Sequence, residues 1–455
     1  MSKIISVAET LSDPHTKVSS TSDNTDSTLD YQNPNYRYFV LGVLTFVYVL
    51  SFVDRQILNI LGEYIIQDLQ LSDGQFGALS GIAFAAIYVI AGIPVARLAD
   101  IGVRRNVVAI SLAVWSVMTA LCGAAQNFWQ LFLARAGVGI GESGGSPPSH
   151  SMISDIFPAN QRATALSIYS LGVYGGVLIG YLAGGYLGAM FSWRVAFVVV
   201  GLPGVLIAIF LRLAVKEPPR GFSENQQKPH KDTSVPPFKK VLALLWSRSS
   251  FKHLALGCAL HAFVTYGLGN FMPVFLGRVH QMPIEQIGLW LGLCSGLGGL
   301  AGTFAGGYLS DKLANRSGDL RWHLWVPLYS TVAAMPFYLA TFLFIDNGLH
   351  AAMSWFLPAF IGGMYLGPCL SMTHGLVGLR MRAVSSAILF FVINLIGLGL
   401  GPFITGLTSD FLKPLYGDES IRYALACMVV VNAWCAVHYH LASKTLRSDL
   451  ANAPQ

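Results

Sequence analysis

Four ionisable residues stand where water should be scarce. Asp54 and Arg55 lie in the apolar run that opens FVLGVLTFVYVLSF at Phe39, and Arg135 and Glu142 lie in LFLARAGVGIGESGG from Leu131. A charge at the centre of a membrane helix costs about 2.5–3.5 kcal/mol on insertion scales, so it is kept with a partner or a task. Seven residues separate Arg135 from Glu142, which puts both on nearly one helical face, and Ser146 and Ser149 continue that face. A carboxylate stripped of water holds a proton more tightly, and one beside a guanidinium releases it. Asp54 and Glu142 are therefore candidates for carrying a proton. Arg55 and Arg135 could neutralise them, or could bind a phosphate with bidentate geometry. A static ion-pair network that merely joins two helices is the rival reading.

The elements that would hold these groups are membrane helices. Of 455 residues, 53% are hydrophobic and 11% charged, where a soluble chain carries about 25% charged residues. A spanning helix needs about 20 apolar residues. Runs of that kind are expected near 37–60, 76–98, 107–124, 128–153, 163–189 and 193–214, then near 252–277, 286–309, 323–345, 350–373, 384–408 and 422–442. Strands of a barrel would instead alternate over about ten residues. The fold class expected is all-α and integral to the membrane, with twelve transmembrane helices in two pseudo-symmetric six-helix bundles. The domains expected are a disordered cytoplasmic tail over 1–35, a first bundle over 36–215, a cytoplasmic linker over 216–250, a second bundle over 251–443 and a cytoplasmic tail over 444–455. By its rise per residue, Asp54–Arg55 falls in the outer half of the bilayer, with Arg135 at similar depth and Glu142 nearer the midplane.

Charge placement sets the orientation. Of 29 Lys and Arg, four (Arg194, Arg278, Lys413, Arg422) fall in the loops opposite the termini and two (Arg55, Arg135) within helices. Positive residues favour the cytoplasmic side, so both termini are expected in the cytoplasm of a cell inner (plasma) membrane, in a multi-pass chain. The charge of +6 follows this pattern and does not indicate nucleic acid. All six cysteines lie in apolar segments without metal-ligand spacing, so no metal and no cofactor is expected. No Walker loop is present, which argues against an ATP-driven pump. Ser149 and His150 are adjacent and point about 100° apart on a helix, a poor catalytic pair. An enzyme is not expected.

The halves repeat each other. VARLADIGVRRN from Val95 follows the second helix and GGYLSDKLANRS from Gly306 the eighth; QRATALS from Gln161 opens the fifth and MRAVSSA from Met381 the eleventh. The ADIGVRR and GGYLSDK stretches resemble the loop signature of the major facilitator superfamily. The second copy fits with Gly307, Asp311, Lys312 and Arg316, while the first has Ala96 in place of the usual Gly. The stretch from Arg135 to Ser167, with FVDRQILN from Phe52 and MRAVSSAILFFVINLIGLGLGP from Met381, is similar to the Spinster-like subgroup. That resemblance implies alternating-access transport and lipid substrates such as sphingosine-1-phosphate or lysophospholipids. It also implies proton coupling through Asp54, Arg55, Arg135 and Glu142, with protons and an amphiphilic small molecule as partners.

Asp100 with Arg104 and Arg105, and Asp311 with Lys312 and Arg316, then read as a cytoplasmic gate. Asp100 could meet basic groups or the amino terminus of the eleventh helix in the outward-facing state. Candidate substrate contacts are Arg55, Arg135, Glu142 and Ser146 in the first half and His261, Tyr266, Asn270 and Asn394 in the second, which offers no intramembrane acid or Arg. A monomer among membrane lipids is expected. A proton-coupled drug or organic-anion transporter on the same scaffold is the main alternative, and a sensor without transport a remote one.

Overall fold

The computed structural model describes residues 30–224, 238–378 and 381–454. Residues 1–29 of the expected tail and 225–237 of the expected linker lie outside that set. Within the expected tail, Tyr31 is fully buried and its hydroxyl donates to the Lys216 carbonyl at 2.5 Å.

The first half contains α1 (Pro34–Ile60), α2 (Asp73–Ile101), α3 (Arg104–Cys122), α4, α5 (Ala159–Met190) and α6 (Trp193–Ala214). Helix α4 runs in two stretches, Phe128–Glu142 and Ser146–Ile156. The second half contains α7 (Ser249–Arg278), α8 (Ile284–Ser317), α9 (Trp322–Leu343), α10 (Gly348–Gly375), α11 and α12. Helix α11 joins Arg382–Val392, Ile393–Leu400 and Gly401–Tyr416, and α12 joins Ser420–Val429 and Val431–Ala451. Length and apolar content alone pick out ten spanning segments among the described residues. That criterion misses the interrupted α4 and fuses α11 with α12, so the passes number twelve.

Local chemistry sets the ends. Ser72 and Gln75 form a reciprocal capping box at the start of α2, and Asn127, Ser192 and Asn347 cap α4, α6 and α10 with their side chains. Each satisfies a backbone N–H that the first helical turn leaves without a partner. All four caps lie at the end of the bundle opposite the termini, called here the far end. Helix α4 carries two prolines close to its interruption. Pro147 and Pro148 fall in the first turn of its second stretch, where a fixed φ and a missing N–H are tolerated. The helix breaks just before them, at Ser143–Gly145. Helix α11 widens to a π-helix over Ile393–Leu400, a form rare enough to mark functional or strained segments.

Small residues explain the close packing. Gly172, Gly176, Gly180 and Gly184 line one face of α5, where an added Cβ would meet Tyr48, Phe52, Gln56 and Ile60 of α1. Gly298, Gly302 and Gly306 of α8 do the same against Phe356, Phe360 and Met364 of α10. Outward faces stay apolar and bare. Leu202, Leu206, Ile209 and Leu213 form one exposed stripe on α6, a surface suited to lipid.

The halves meet at the far end and separate toward the termini. Asn59 donates to Asn270 at 3.1 Å, Tyr181 to the Gly269 carbonyl at 3.4 Å, and the Gly185 and Gly288 backbones of α5 and α8 touch. Tyr174 and Thr303 hydrogen-bond across the same pair of helices. Along α2, residues 76–81 are all buried, whereas from Ile90 to Ile101 only Ala99 among the described side chains is. A cleft between the halves therefore opens toward the end that carries both termini.

Candidate functional site

The break in α4 leaves Glu142 as the last residue of its first stretch, buried at 3% exposure and facing α1. Arg55 of α1 donates to one Glu142 oxygen, Oε2, through Nε at 2.7 Å and Nη2 at 2.6 Å. The other oxygen, Oε1, has no partner. The guanidinium lies among rings, 4.8 Å from the Phe52 centroid, 4.6 Å from Phe84 and 5.5 Å from Tyr88. Aromatic faces attract a cation strongly once water is excluded.

Asp54 and Arg135 are also buried, at 3% and 2% exposure, yet they do not close a matching ion pair. Arg135 donates a long 3.4 Å hydrogen bond to the backbone carbonyl of Asp54, its Nε is unpartnered, and its charge sits 5.5 Å from the Phe84 ring. Trp115 and Thr119 of α3 approach the Asp54 carboxyl without forming a well-aligned hydrogen bond. One close pair and one loose one thus lie side by side. Burying a charge without full pairing is costly, and Arg135 keeps an unpartnered nitrogen beside Asp54.

A cavity of about 10 Å³ adjoins the close pair, lined by Tyr48, Arg55, Trp115, Glu142, Ser146 and Tyr169 among others. It is smaller than most small-molecule sites and lies within the first half, between α1, α3, α4 and α5. Ser146 faces it and receives a 3.5 Å hydrogen bond from Tyr169, whose ring stacks on Tyr48 at 4.5 Å. Tyr266 of α7 lies within electrostatic reach of Arg55. Trp115, Tyr48 and Tyr169 were absent from the sequence-derived set. The spacing of Ser111, Trp115 and Thr119 on α3, four residues apart, was the one available signal for a polar face there.

Two of the other second-half candidates, His261 and Asn270, are engaged elsewhere. His261 uses both ring nitrogens inside its own bundle, with Thr331 Oγ1 at 3.0 Å and the Gly362 carbonyl at 2.9 Å, and stacks on Tyr365 at 4.0 Å. Asn270 bonds Asn59 across the far-end seam. Asn394 is half-buried in the π-helical stretch of α11.

At the terminus end the gate candidates are apart. Asp100 is exposed. Arg104, expected beside it, instead pairs with Asp155 of α4 and with Glu217 at 2.8 Å, and Arg105 uses its backbone N–H on Glu217 at 2.8 Å. Asp311 pairs with His323 at 3.0 Å, Lys312 lies over the Tyr308 ring, and Arg316 is exposed. Neither acidic group reaches across the cleft in this conformation. Among the described residues no cluster of His, Cys, Asp and Glu could hold a metal.

The family model described as Major Facilitator Superfamily matches residues 44–437. The chain belongs to that superfamily. It is 34% identical over 428 residues to an "MFS-type efflux pump" of Mycolicibacterium smegmatis, covering 92% of this chain and 96% of that one. It is 27% identical to protein spinster homolog 1 of Homo sapiens, covering 84% of this chain and 74% of the other. A crystal structure of a bacterial homologue of the human lysosomal transporter Spinster, inward-facing and unoccupied, superposes with a TM-score of 0.82 at 32% identity, over 92% of this chain and 99% of that one. This major facilitator chain is thus a Spinster-like, multi-pass membrane transporter of small molecules, not an enzyme.

Proposed function

We propose that this transporter moves an amphiphilic lipid, of the sphingosine-1-phosphate or lysophospholipid kind, by proton-coupled alternating access. The observation that carries this reading is the buried Arg55–Glu142 pair beside the loosely paired Asp54 and Arg135, at the closed end of a cleft between two halves. In this conformation Glu142 occupies Arg55. A proton on Glu142 would weaken that hold and free a guanidinium, in a poorly hydrated setting, to take an anionic headgroup. A proton on Asp54 would do the same for Arg135. Ser146 and Tyr266 complete the polar patch, while Phe52, Phe84 and Tyr88 suit an acyl chain. Binding and protonation on one side, then release on the other, couples the two fluxes.

The gate follows from the same cycle. When the terminus end closes, Asp100 meets the start of α11, with Arg104 and Arg105 alongside, and Asp311, Lys312 and Arg316 act as the counterpart in the second half. Charge bias supports a cytoplasmic position for both termini, and the reading takes a monomer in the cell inner membrane as the working unit. A second reading, proton-coupled efflux of drugs or organic anions, is favoured by the 34% identity to the efflux pump. Proteoliposomes loaded in turn with lysophospholipid, sphingosine-1-phosphate and cationic or anionic drugs distinguish them. Flux of lipids alone supports the first reading, flux of drugs alone the second.

A further inference from the structure

The far end holds a cluster of charges for which the transport chemistry above has no use. Asp73 opens α2, in the first half, and is 1% exposed. Arg278 ends α7, in the second half, and its two terminal nitrogens reach the two Asp73 oxygens at 2.8 and 2.9 Å. The same guanidinium takes Glu63, from the link between α1 and α2, at 2.8 Å. Ser409 of α11 donates to Asp73 at 2.6 Å. Asp410, next to it, accepts from the backbone N–H groups of Asp73 and Gly74 at 3.0 and 2.8 Å, one on each carboxylate oxygen.

A carboxylate of one half thus caps the first turn of a helix in the other, where the free N–H groups and the helix dipole favour negative charge. The backbones beneath are in contact. A Cβ added to Gly406 would lie 2.1 Å from the Asp73 carbonyl oxygen, and one on Gly77 2.3 Å from that of Pro402. Every one of these bonds crosses between halves, so opening the far end breaks them together.

We propose that Asp410, with Asp73 and Arg278, is the latch that holds the far end shut, and that its strength sets the population open to that side. Asp410 acts as a positioning residue: it touches no substrate and fixes α2 against α11. The proposal rests on the alternating-access reading above, but its test does not need a substrate.

Spin labels at Tyr64→Cys and Lys413→Cys, one on each half near the far end, report the separation in a Cys427→Ser background, Cys427 being the exposed cysteine among the described residues. The otherwise unaltered latch should give one dominant short distance. Asp410→Ala and Arg278→Gln should raise the long-distance population about tenfold, the scale of losing charge-assisted hydrogen bonds. Asp410→Asn, isosteric and still able to accept through one oxygen, should raise it less, and it carries the test if the alanine variant does not yield monodisperse protein. Glu419→Gln, which removes the Glu419–Arg422 pair within the second half, should change nothing. Unchanged distances in folded Asp410 and Arg278 variants overturn the latch. A failure of lipid flux with the distance shifts intact overturns the functional reading and leaves the latch standing.

Discussion

Arg55 places two nitrogens on a single oxygen of Glu142, at 2.6 and 2.7 Å, and leaves the second oxygen of that buried carboxylate without a partner. The pair joins α1 to α4 at the point where α4 breaks. It ties the two helices together while one carboxylate oxygen stays open.

Removing one member should cost more than removing both. Glu142→Ala leaves the Arg55 guanidinium buried without its counter-ion, a loss of about 3–5 kcal/mol. Arg55→Leu combined with Glu142→Leu removes the uncompensated charge and should recover most of it. Melting curves in detergent for the single and double variants check this, and additive losses would contradict the pairing.

A second expectation concerns pH at the terminus end. Arg321 donates to Asp319 at 2.8 and 3.0 Å and Arg447 does so at 2.8 Å, and together they hold the Asp319 carboxyl down at about 2. Its folded value lies below the unfolded one of about 3.9. The stabilisation is therefore complete above about pH 4 and fades as the pH falls toward 2. Asp319→Asn should lower thermal stability at neutral pH, and the gap from the parent should shrink on acidification. A gap that stays constant from pH 7 to pH 3 and below refutes this.

Asp100 is exposed and makes no bond in the present conformation, so Asp100→Ala should leave melting temperature and ligand binding in detergent nearly unchanged. It should slow transport several-fold, because the missing contact belongs to the state closed at the terminus end. Equal flux in vesicles would remove Asp100 from the gate.

Packing gives a sharp contrast between two glycines of α8. A Cβ on Gly302 would lie 1.9 Å from the Phe360 carbonyl oxygen, while one on Gly307 meets nothing within 4 Å. Gly302→Ala should destabilise by about 1–3 kcal/mol or more, as overpacking does. Gly307→Ala should be close to neutral. Parallel thermal melts decide it.

The buried charges were legible in the sequence because hydrocarbon makes each one expensive, and the twelve passes because apolar runs of that length have few other uses. The pairing was not legible. Asp54, Arg55, Arg135 and Glu142 allow more than one arrangement, and the rotation of α1 against α4 decides that Arg55, not Arg135, takes Glu142. His261 looked open in the sequence because nothing there shows that Thr331 and Gly362 consume its two nitrogens. The far-end latch was hidden for a different reason. Asp73, Arg278 and Asp410 sit at or near helix ends, where charges pass for ordinary loop residues, and Asp410 caps a helix 337 positions away in the chain. The π-helical stretch of α11 likewise carries no distinctive residue pattern.

The most direct test of proton coupling through the buried charges is flux of lysophospholipid or sphingosine-1-phosphate in proteoliposomes, with and without an imposed pH gradient, for the parent, Asp54→Asn and Glu142→Gln. The parent should respond to the gradient, and both variants, folded and monodisperse, should lose that response. A gradient response that survives in both variants would contradict the assignment of proton transfer to these carboxylates.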